Sequence, residues 1–467
     1  MDDLPARPKT YPKGRSLRRQ IRDFRADLFA ALPERLYRAW LAERRNLIYR
    51  SYIINQPDLV KTVLQDRPDD FPKSPIVHDT LRALLGNSVF VTNGATWRAQ
   101  RRIIDPAFAR GNLRSTFPAM QAAGQAALAR LAPGKVEMEF ETAHLAADVI
   151  FRTLFSVPID SDDASRVFTA FRDYQRAQPL WNLPGLLRLP RWVPRFHSRA
   201  SRRAAAEIRR ILLKFVNAHA ARIAAGDIPG DLAGKIMTTP DPETGALFSA
   251  EDMVDQVAIF FLAGHETSAS ALSWALYLLA KYPEAQARVA AEAQAVDPAT
   301  MAFANLSKLA FTRDVFRETL RLYPPVPMMP RQTVQAEPMR DRVLPKGALA
   351  ILSPWHLHRH ERLWNNPHGF DPERWQTENG KACAREAYIP FSAGPRVCTG
   401  AGFAMVEGVL LLAMLVSRWE FSLIKDREPR PVAHLTVRAA DGVLLALKPR
   451  ALVGAGASGA DIKNKRS

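Results

Sequence analysis

The spacing of apolar positions predicts a mostly helical protein with a small contribution from β-sheets. Helical periodicity dominates over residues 117–225 and again over residues 249–320. Strand-like alternation is confined to the short stretches 46–54, 348–354 and 442–449. Because no internal repeat is visible, we expect one integrated domain over residues 1–450.

Both ends of the chain are predicted to differ from this body. Residues 1–45 form a basic, amphipathic segment that has no signal-peptide core and no membrane span. Residues 451–467 are small and polar, which predicts a disordered tail. The arginine-rich stretch 16–41 and the leucine- and tryptophan-containing stretch 179–196 are each able to lie on a membrane surface. The alternative for residues 179–196 is a hydrophobic loop packed on its own domain.

Composition narrows the class of protein. The chain has 467 residues, of which 47% are hydrophobic and 24% charged, so it is long enough to bury a large core. Its two cysteines, Cys383 and Cys398, cannot form a disulfide framework, which indicates a reducing, cytoplasmic setting. The net charge of +18 is compatible with an acidic protein partner, an anionic membrane or simple solubility. No nucleic-acid motif accompanies this charge, so nucleic acid is not predicted as a partner.

Three local matches to binding motifs fail. Gly454, Gly456 and Gly459 have dinucleotide-site spacing, but too few residues follow for the required helix and strand. His265 and Glu266 begin a zinc-protease pattern whose second histidine is replaced by alanine. The alternating histidines of the sequence HLHRH have no acidic or cysteine partner at metal-ligand spacing. We interpret them as solvated or structural; they are His356, His358 and His360.

The most informative helix is predicted to begin at the N-cap Ser249, with Asp252 in the capping-box position, and to end before Pro283. Polar residues interrupt its apolar middle at positions 263–268. We expect the Thr267 hydroxyl to bond back to the carbonyl of Ala263, which would loosen the helix there. Such a place suggests chemistry, although a kink tolerated for packing is an equal alternative.

A second helix carries Glu318 and Arg321, which lie on one face because they are three residues apart. Such a pair is ordinarily a surface salt bridge of small value. If Arg374 of the downstream sequence FDPERW also reached Glu318, the weak pair would become a network.

Together these residues resemble the cytochrome P450 family of haem-thiolate monooxygenases. The family's haem-binding pattern F-x-x-G-x-R-x-C-x-G is met in full by residues 391–400. Its oxygen-activating helix motif is met at residues 263–268, its E-x-x-R pair at residues 318–321, and its W-x-x-x-R pattern at residues 97–101. Two departures are Trp375 in place of a usual phenylalanine, and the lack of a glycine-rich turn between the first strands.

The resemblance implies the cytochrome P450 fold, a triangular helical domain with a minor β region, and a haem b cofactor. It implies that Cys398 is the axial thiolate ligand of the haem iron. Glu318, Arg321 and Arg374 would brace the loop before the cysteine. Gly394 and Gly400 would give clearance to the porphyrin, and Phe391 would pack against the sulfur. The implied propionate partners are Arg396, Trp97 and Arg101, with Arg331 as a further candidate.

On the other face of the haem, the resemblance implies that Ala263 and Gly264 line the cofactor and that Thr267 and Glu266 are the catalytic alcohol and acid. It implies a monooxygenase that inserts one atom of O₂ into a lipophilic substrate, such as a fatty acid, terpenoid or carotenoid. Electrons would come from a separate ferredoxin or flavodoxin served by an NAD(P)H reductase. The alternatives are an isomerase or dehydratase of the same fold, or a haem-thiolate sensor.

Candidate substrate contacts are the apolar residues of four segments of the chain. They are the stretch 76–91 together with Phe260, Phe261, Val326, Met328, Met329 and Leu435. The protein is predicted to be a cytoplasmic monomer, with peripheral contact to the inner face of the membrane as an option.

Overall fold

The structure is a computed structural model, and it describes residues 4–8, 27–45, 50–177 and 198–451. Its α-helices, numbered in chain order, are α1 (Pro57–Lys61), α2 (Pro75–Leu85), α3 (Gly94–Ile104), α4 (Arg110–Arg130), α5 (Met138–Phe155), α6 (Asp162–Ala177), α7 (Arg199–Ala224), α8 (Leu232–Thr238), α9 (Ala250–Lys281), α10 (Pro283–Gln294), α11 (Ala310–Leu322), α12 (Pro354–Leu357), α13 (Glu378–Glu386) and α14 (Ala401–Arg418). The predicted membrane-facing stretch 179–196, the tail 452–467 and residues 1–3 and 9–26 of the predicted N-terminal segment lie outside the described residues.

Small β-sheets flank the helices. The strands are β1 (Leu41–Arg45), β2 (Arg50–Ile54), β3 (Gly134–Glu137), β4 (Met329–Gln332), β5 (Glu337–Met339), β6 (Arg342–Leu344), β7 (Leu349–Leu352), β8 (Trp419–Leu423), β9 (Pro431–Ala433), β10 (Val437–Ala439) and β11 (Leu444–Pro449). They form a four-stranded sheet in the order β1-β2-β7-β4, a three-stranded sheet in the order β3-β11-β8, and the two-stranded pairs β5/β6 and β9/β10. The predicted fold class, mainly α with small β-sheets, is confirmed.

The predicted strands match the described ones in part. The stretches 348–354 and 442–449 contain β7 and β11. The predicted strand over residues 46–54 is described only from Arg50, and the strand before it, β1, was not predicted. Strand β1 reads LAERR and has no alternation of apolar and polar residues, so periodicity gave no signal for it.

Helix α9 is the centre of the helical core. It has the predicted capping box between Ser249 and Asp252 and ends at Lys281, before Pro283. Most of its residues are buried, and it packs against α5, α7, α11 and α14. A Cβ on Gly264 would lie 2.4 Å from the Ile150 side chain, so this glycine permits the close contact between α9 and α5.

Helix α14, which follows Cys398, is apolar on nearly all sides. Within the described residues it is the one helix that is long and apolar enough to cross a membrane, and most of it is buried in the protein. A helix that is hydrophobic all round is expected in the centre of a large core. We therefore assign α14 to the core.

The three histidines of the sequence HLHRH are structural. His356, His358 and His360 are all buried. The Nε2 atom of His358 accepts a hydrogen bond from the backbone N–H of Ile389, 2.9 Å away. Burial, together with the positive charge of Arg321 and Arg359, lowers the pKa of His358 to about 3. This ring is therefore neutral in the folded protein at neutral pH.

A neutral buried histidine makes stability depend on pH. The pKa of His358 is lower in the folded than in the unfolded chain, so its contribution is full above about pH 6.5 and is lost as the pH falls toward 3. For His358→Gln, which keeps an acceptor for Ile389 but cannot titrate, we expect a flatter pH profile. The slope of the unfolding free energy should fall by about 1.4 kcal/mol per pH unit between about pH 6 and pH 4. Urea unfolding at a series of pH values measures it.

The control is His78→Gln, which changes a partly exposed histidine on α2. This substitution should leave the slope close to that of the unchanged protein. An identical pH profile for His358→Gln and the unchanged protein would show that His358 does not carry this dependence.

Candidate active site

Cys398 lies in a short loop that leads into helix α14. The loop is closed by a hydrogen bond from the Cys398 backbone N–H to the Phe391 carbonyl, 2.9 Å long. Gly394 has a φ of +68°, and a Cβ there would lie 2.0 Å from the carbonyl oxygen of Leu64. Gly394 is thus required for contact with the turn at residues 62–66. A Cβ at Gly400 would meet nothing within 4 Å, and clearance of the porphyrin by these two glycines stays a prediction.

Helix α3 clasps this loop on both sides of the cysteine. The Arg101 Nη1 donates to the carbonyl of Val397 at 2.8 Å. The Thr399 hydroxyl donates to Asp105 Oδ1 at 3.2 Å, and Arg101 and Asp105 pair with each other at 2.9 Å. The residues before and after Cys398 are therefore fixed by one ion pair. The family resemblance implies that Arg101 holds a propionate. In the structure, Arg101 contacts Val397 of the cysteine loop and Asp105.

The Cys398 thiol is accessible, although protein surrounds it. Burial raises its pKa, while the backbone N–H of Gly400 and the charge of Arg101 act in the opposite direction. These two groups would stabilise an anionic sulfur. Cys383 is different, because it is buried, donates to the Leu363 carbonyl at 3.3 Å and has a pKa raised to about 11 by burial.

A cluster of cations lies beside the loop around the ring of Trp97. Lys73 Nζ, the Arg101 guanidinium and the Arg396 guanidinium lie 5.8, 6.0 and 5.1 Å from the centre of this ring. A backbone bridge between Lys73 and Arg331 brings Arg331 to the same place. Burial, and then the charges of Arg331, Arg396 and Arg101, lower the pKa of Lys73 to about 6.

Among the residues that the structure describes, this cluster has too few anionic partners. The Nε atoms of Arg331 and Arg396 are buried without a hydrogen-bond partner. The carboxylate nearest to Arg396 is the largely exposed Asp69, 3.5 Å away. Burying unpaired cations is costly, and a group with two carboxylates would satisfy them. The residues present therefore fit the propionates of a haem whose iron takes the Cys398 sulfur.

One face of α9 is accessible in the middle of an otherwise buried helix. Phe260, Ala263, Gly264 and Thr267 are each at least partly accessible, while the residues on the other sides are buried. Their spacing of i, i+3, i+4 and i+7 puts them on one face. This face is the accessible side of α9, and the Thr267 hydroxyl donates to the Ala263 carbonyl at 2.6 Å as predicted. The helix is continuous through this place.

Glu266 points to the opposite side, toward the β9/β10 pair. Its Oε1 accepts hydrogen bonds from the Thr436 hydroxyl and from Arg438 Nη2, both at 2.6 Å. Burial acts to raise the pKa of Glu266, but Arg438 and Thr436 together lower it below its ordinary value. On the other side of Arg438 lies Glu139, whose pKa is raised to about 7 by burial. Arg438 thus has two carboxylates as neighbours.

A third acid connects α9 to α14. The Ser268 hydroxyl donates to Glu407 Oε2 at 2.6 Å, while Glu407 Oε1 is buried without a partner. Burial raises the pKa of Glu407 to about 8, so this carboxyl is mostly protonated at neutral pH. Its hydrogen-bond partner, Ser268, directly follows Thr267 in the sequence.

The predicted network around Glu318 is present and fully buried. Glu318 pairs with Arg321 at 2.8 Å and with Arg374 at 3.0 Å, and all three side chains are at most 3% exposed. Arg321 also donates to the carbonyls of His358, Pro367 and Gly369. Trp375 donates to the Asp314 carbonyl at 3.1 Å, a bond that phenylalanine could not make. The network therefore fixes the backbone over residues 365–375.

The prediction that Phe261 and Met329 line the substrate pocket is wrong. Phe261 is 1% exposed and packs between Phe151 and Phe171, with ring centres 4.9 and 4.4 Å away, so it belongs to the core. Met329 lies in β4 with its side chain buried in a second hydrophobic cluster. Among the other candidates, Phe260, Val326, Met328 and Leu435 are at least partly accessible and remain predictions, whereas Ile76, Leu81, Leu84, Leu85 and Val91 of the stretch 76–91 are buried.

Sequence reasoning missed four residues of this site. Lys73, Glu407, Thr436 and Arg438 each lie outside the short motifs and reach the site only through tertiary contacts. For Glu407 a signal existed, because a lone acid in the apolar stretch of α14 is unusual. The other three had no signal among the chain's many basic and hydroxyl side chains.

The fold and the site define a haem-thiolate protein, and comparison with known proteins gives its family. The sequence model described as Cytochrome P450 matches residues 33–451, so the chain belongs to the cytochrome P450 family. It is a haem-dependent monooxygenase that works with O₂, a lipophilic substrate and a redox partner.

Two curated relatives and one solved structure are similar to this chain. Cyclooctat-9-en-7-ol 5-monooxygenase from Streptomyces melanosporofaciens is 35% identical over 79% of this chain and 80% of its own length. Pentalenene oxygenase from Streptomyces avermitilis is 32% identical over 83% of this chain and 85% of its own length. The haem domain of cytochrome P450DA has a TM-score of 0.80 and 24% identity over 96% of this chain and 98% of its own, which shows the fold.

The contact between Glu266 and Arg438 predicts a change in protonation. In Arg438→Gln, the charge that opposes the effect of burial on Glu266 is gone. The pKa of Glu266 should therefore rise, and a fraction of this carboxyl should be protonated at neutral pH. Infrared difference spectra measure this as a protonated-carboxyl band that disappears when Glu266→Gln is added. Arg427→Gln, at an exposed position, is the control and should give no such band. An unchanged spectrum for Arg438→Gln would show that Arg438 does not set this pKa.

The Glu318 network predicts a large effect on stability. Arg374→Met leaves the buried Glu318 with one cationic partner instead of two, so we expect a loss of about 3–5 kcal/mol in unfolding free energy. The control is Arg288→Met, which removes an exposed ion pair with Glu373, the neighbour of Arg374, and should cost less than about 1 kcal/mol. Urea unfolding measures both, and equal losses would mean that burial of the network is not what matters.

Proposed function

We propose that this monooxygenase hydroxylates a terpenoid hydrocarbon or alcohol. Two relatives support this substrate class, because their names specify oxygenation of cyclic terpenoids. The accessible face of α9 supports it as well, since Phe260, Ala263 and Gly264 present apolar surface beside one hydroxyl, that of Thr267. An apolar cavity with few polar groups suits a hydrocarbon skeleton.

We propose haem b as the cofactor, with Cys398 as the residue whose sulfur would bind its iron. The observation that carries this proposal is the accessible thiol beside a cluster of cations that has too few anionic partners among the described residues. Lys73, Arg331 and Arg396 hold the propionates, and Trp97 packs among them. Arg101 and Asp105 fix the loop so that the sulfur stays in place, and Gly400 leaves room at the ring. Thiolate-ligated haem iron, when bound, supplies the activation of O₂.

The protein's own residues manage protons and water. Hydroxylation consumes O₂, two electrons and two protons and gives the alcohol and water. The Thr267 hydroxyl holds a proton on the accessible face of α9. Glu266, ionised in its pair with Arg438, is the acid that receives protons from the side of the β9/β10 pair and delivers them by rotating toward Thr267. The apolar neighbours Phe260 and Ala263 exclude bulk water.

The remaining proposals concern partners and setting. We propose that an acidic ferredoxin or flavodoxin, reduced through an NAD(P)H reductase, supplies the electrons. The net charge of +18 supports this choice, because it would attract an acidic carrier. We also propose one cytochrome P450 domain over residues 1–450, a monomeric state and a cytoplasmic location with optional peripheral membrane contact.

The proposed function is tested with purified protein reconstituted with haem. The reduced protein should show the red-shifted carbon monoxide band of thiolate-ligated haem, and Cys398→Ser should lose it. With a surrogate ferredoxin and reductase, a panel of cyclic sesquiterpenes and diterpenes should include a substrate that gains one oxygen atom from ¹⁸O₂. Failure of the whole panel, with turnover of fatty acids instead, would overturn the terpenoid assignment.

The proton role is tested separately. In Thr267→Ala we expect electron consumption to continue while the share of electrons that reach product falls by roughly 100-fold, the lower end of the range for a lost acid–base contribution. Thr244→Ala, at an exposed loop position, is the control. Unchanged coupling in Thr267→Ala would contradict the role given to this hydroxyl.

A further inference from the structure

The segment that follows α2, residues 86–92, borders the accessible face of α9. The backbone N–H of Val89 donates to Gln256 Oε1 at 2.9 Å, and Gln256 lies one helical turn before Phe260 on the same face. Lys73 Nζ, a member of the cation cluster, donates to the carbonyls of Val89 and Thr92 at 2.6 and 3.2 Å. Within the segment Phe90 is 40% exposed, which is unusual for so large an apolar side chain.

A buried acid on α9 holds the start of this segment. Asp255 is 5% exposed, and its Oδ2 accepts from the backbone N–H of Asn87 at 2.7 Å. Gly86 has a φ of +50°, and a Cβ there would lie 2.1 Å from Asp255 Oδ1. Any other residue at position 86 would therefore push the carboxylate away. The local backbone is built to bring the chain directly onto Asp255.

Arg209 on α7 joins three elements at this point. Its Nη1 donates to Asp255 Oδ1 at 2.6 Å and to the Leu84 carbonyl at the end of α2 at 3.0 Å. One guanidinium thus ties α7 to α9 and to the last turn of α2. An ion pair to a buried carboxylate is stronger than an exposed pair, because water screens it less.

We propose that Arg209 and Asp255 are positioning residues that set the placement of residues 86–92, and with it the orientation and entry of the substrate. The proposal rests on the proposed function, since these residues act on the cavity assigned to the substrate. With the pair intact, the end of α2 is fixed to α7, and Val89 keeps its hydrogen bond to Gln256, one turn before Phe260 on α9. Loss of the pair frees the end of α2, so residues 86–92 are no longer held to α7 through Arg209.

The test compares two neighbouring arginines in the haem-loaded protein. Arg209→Gln removes the pair with Asp255, whereas Arg210→Gln is the matched control, because Arg210 pairs with the partly exposed Glu207 on the surface of α7. Hydrogen exchange of residues 84–92 should rise by roughly tenfold in Arg209→Gln, within the range expected for contacting charged residues. Exchange in the control should match the unchanged protein.

A second readout follows entry to the cavity and separates positioning from a purely structural role. The probe is 4-phenylimidazole, whose nitrogen ligates haem iron while its phenyl ring occupies the space beside α9. We expect Arg209→Gln to change the association rate and the dissociation constant of this probe, with the iron–thiolate carbon monoxide band unchanged. Asp255→Asn should do the same, and the double variant should add little, because both remove one interaction.

Arg209→Lys keeps the charge but cannot reach two acceptors in the same geometry, so an intermediate effect is expected. It also provides a foldable variant if Arg209→Gln does not fold. Unchanged exchange at residues 84–92, additive effects in the double variant, or equal effects of Arg209→Gln and Arg210→Gln would each overturn the proposal. None of these readouts uses a terpenoid, so they stand apart from a failure of the proposed function.

Discussion

The rest of the site depends on the ion pairs made by one side chain, the carboxylate of Glu318. It is fully buried, and an ion in such a place is tolerated only with close partners of opposite charge. Arg321 and Arg374 are these partners, and both arginines also donate hydrogen bonds to backbone carbonyls over residues 358–369. His358 continues this chain of contacts to Ile389, two residues before Phe391. The position of the cysteine loop is thus linked to one buried charge.

The cation cluster shows a related constraint with the opposite sign. Around Glu318 the charged side chains all have partners within the protein, whereas around Trp97 the positive charge exceeds what the described residues can neutralise. Evolution of a stable fold alone would not favour unpaired Nε atoms on Arg331 and Arg396. The two clusters differ in whether the buried arginine donors have partners among the described residues.

Sequence reasoning succeeded for features that depend on the spacing of residues along the chain. The capping box at Ser249, the bond from Thr267 to Ala263 and the triad of Glu318, Arg321 and Arg374 were all expected, because each depends on fixed offsets or on a family motif. It failed where contacts join distant parts of the chain. Nothing near Lys73 or Arg438 distinguishes them from other basic residues. Phe261 was misplaced because helix periodicity cannot tell which of two adjacent aromatic residues faces a cavity and which faces the core.

The different surroundings of the two cysteines have a practical consequence. Cys383 is buried, bonded to the Leu363 carbonyl and hard to ionise, so reagents that modify thiols will react with it slowly. Cys398 is accessible, and it ceases to be a free thiol once its sulfur is bound to iron. The number of thiols that react with a dye in the folded protein therefore reports the fraction of molecules that carry no cofactor. Counting the reactive thiols thus measures how much of the protein carries cofactor.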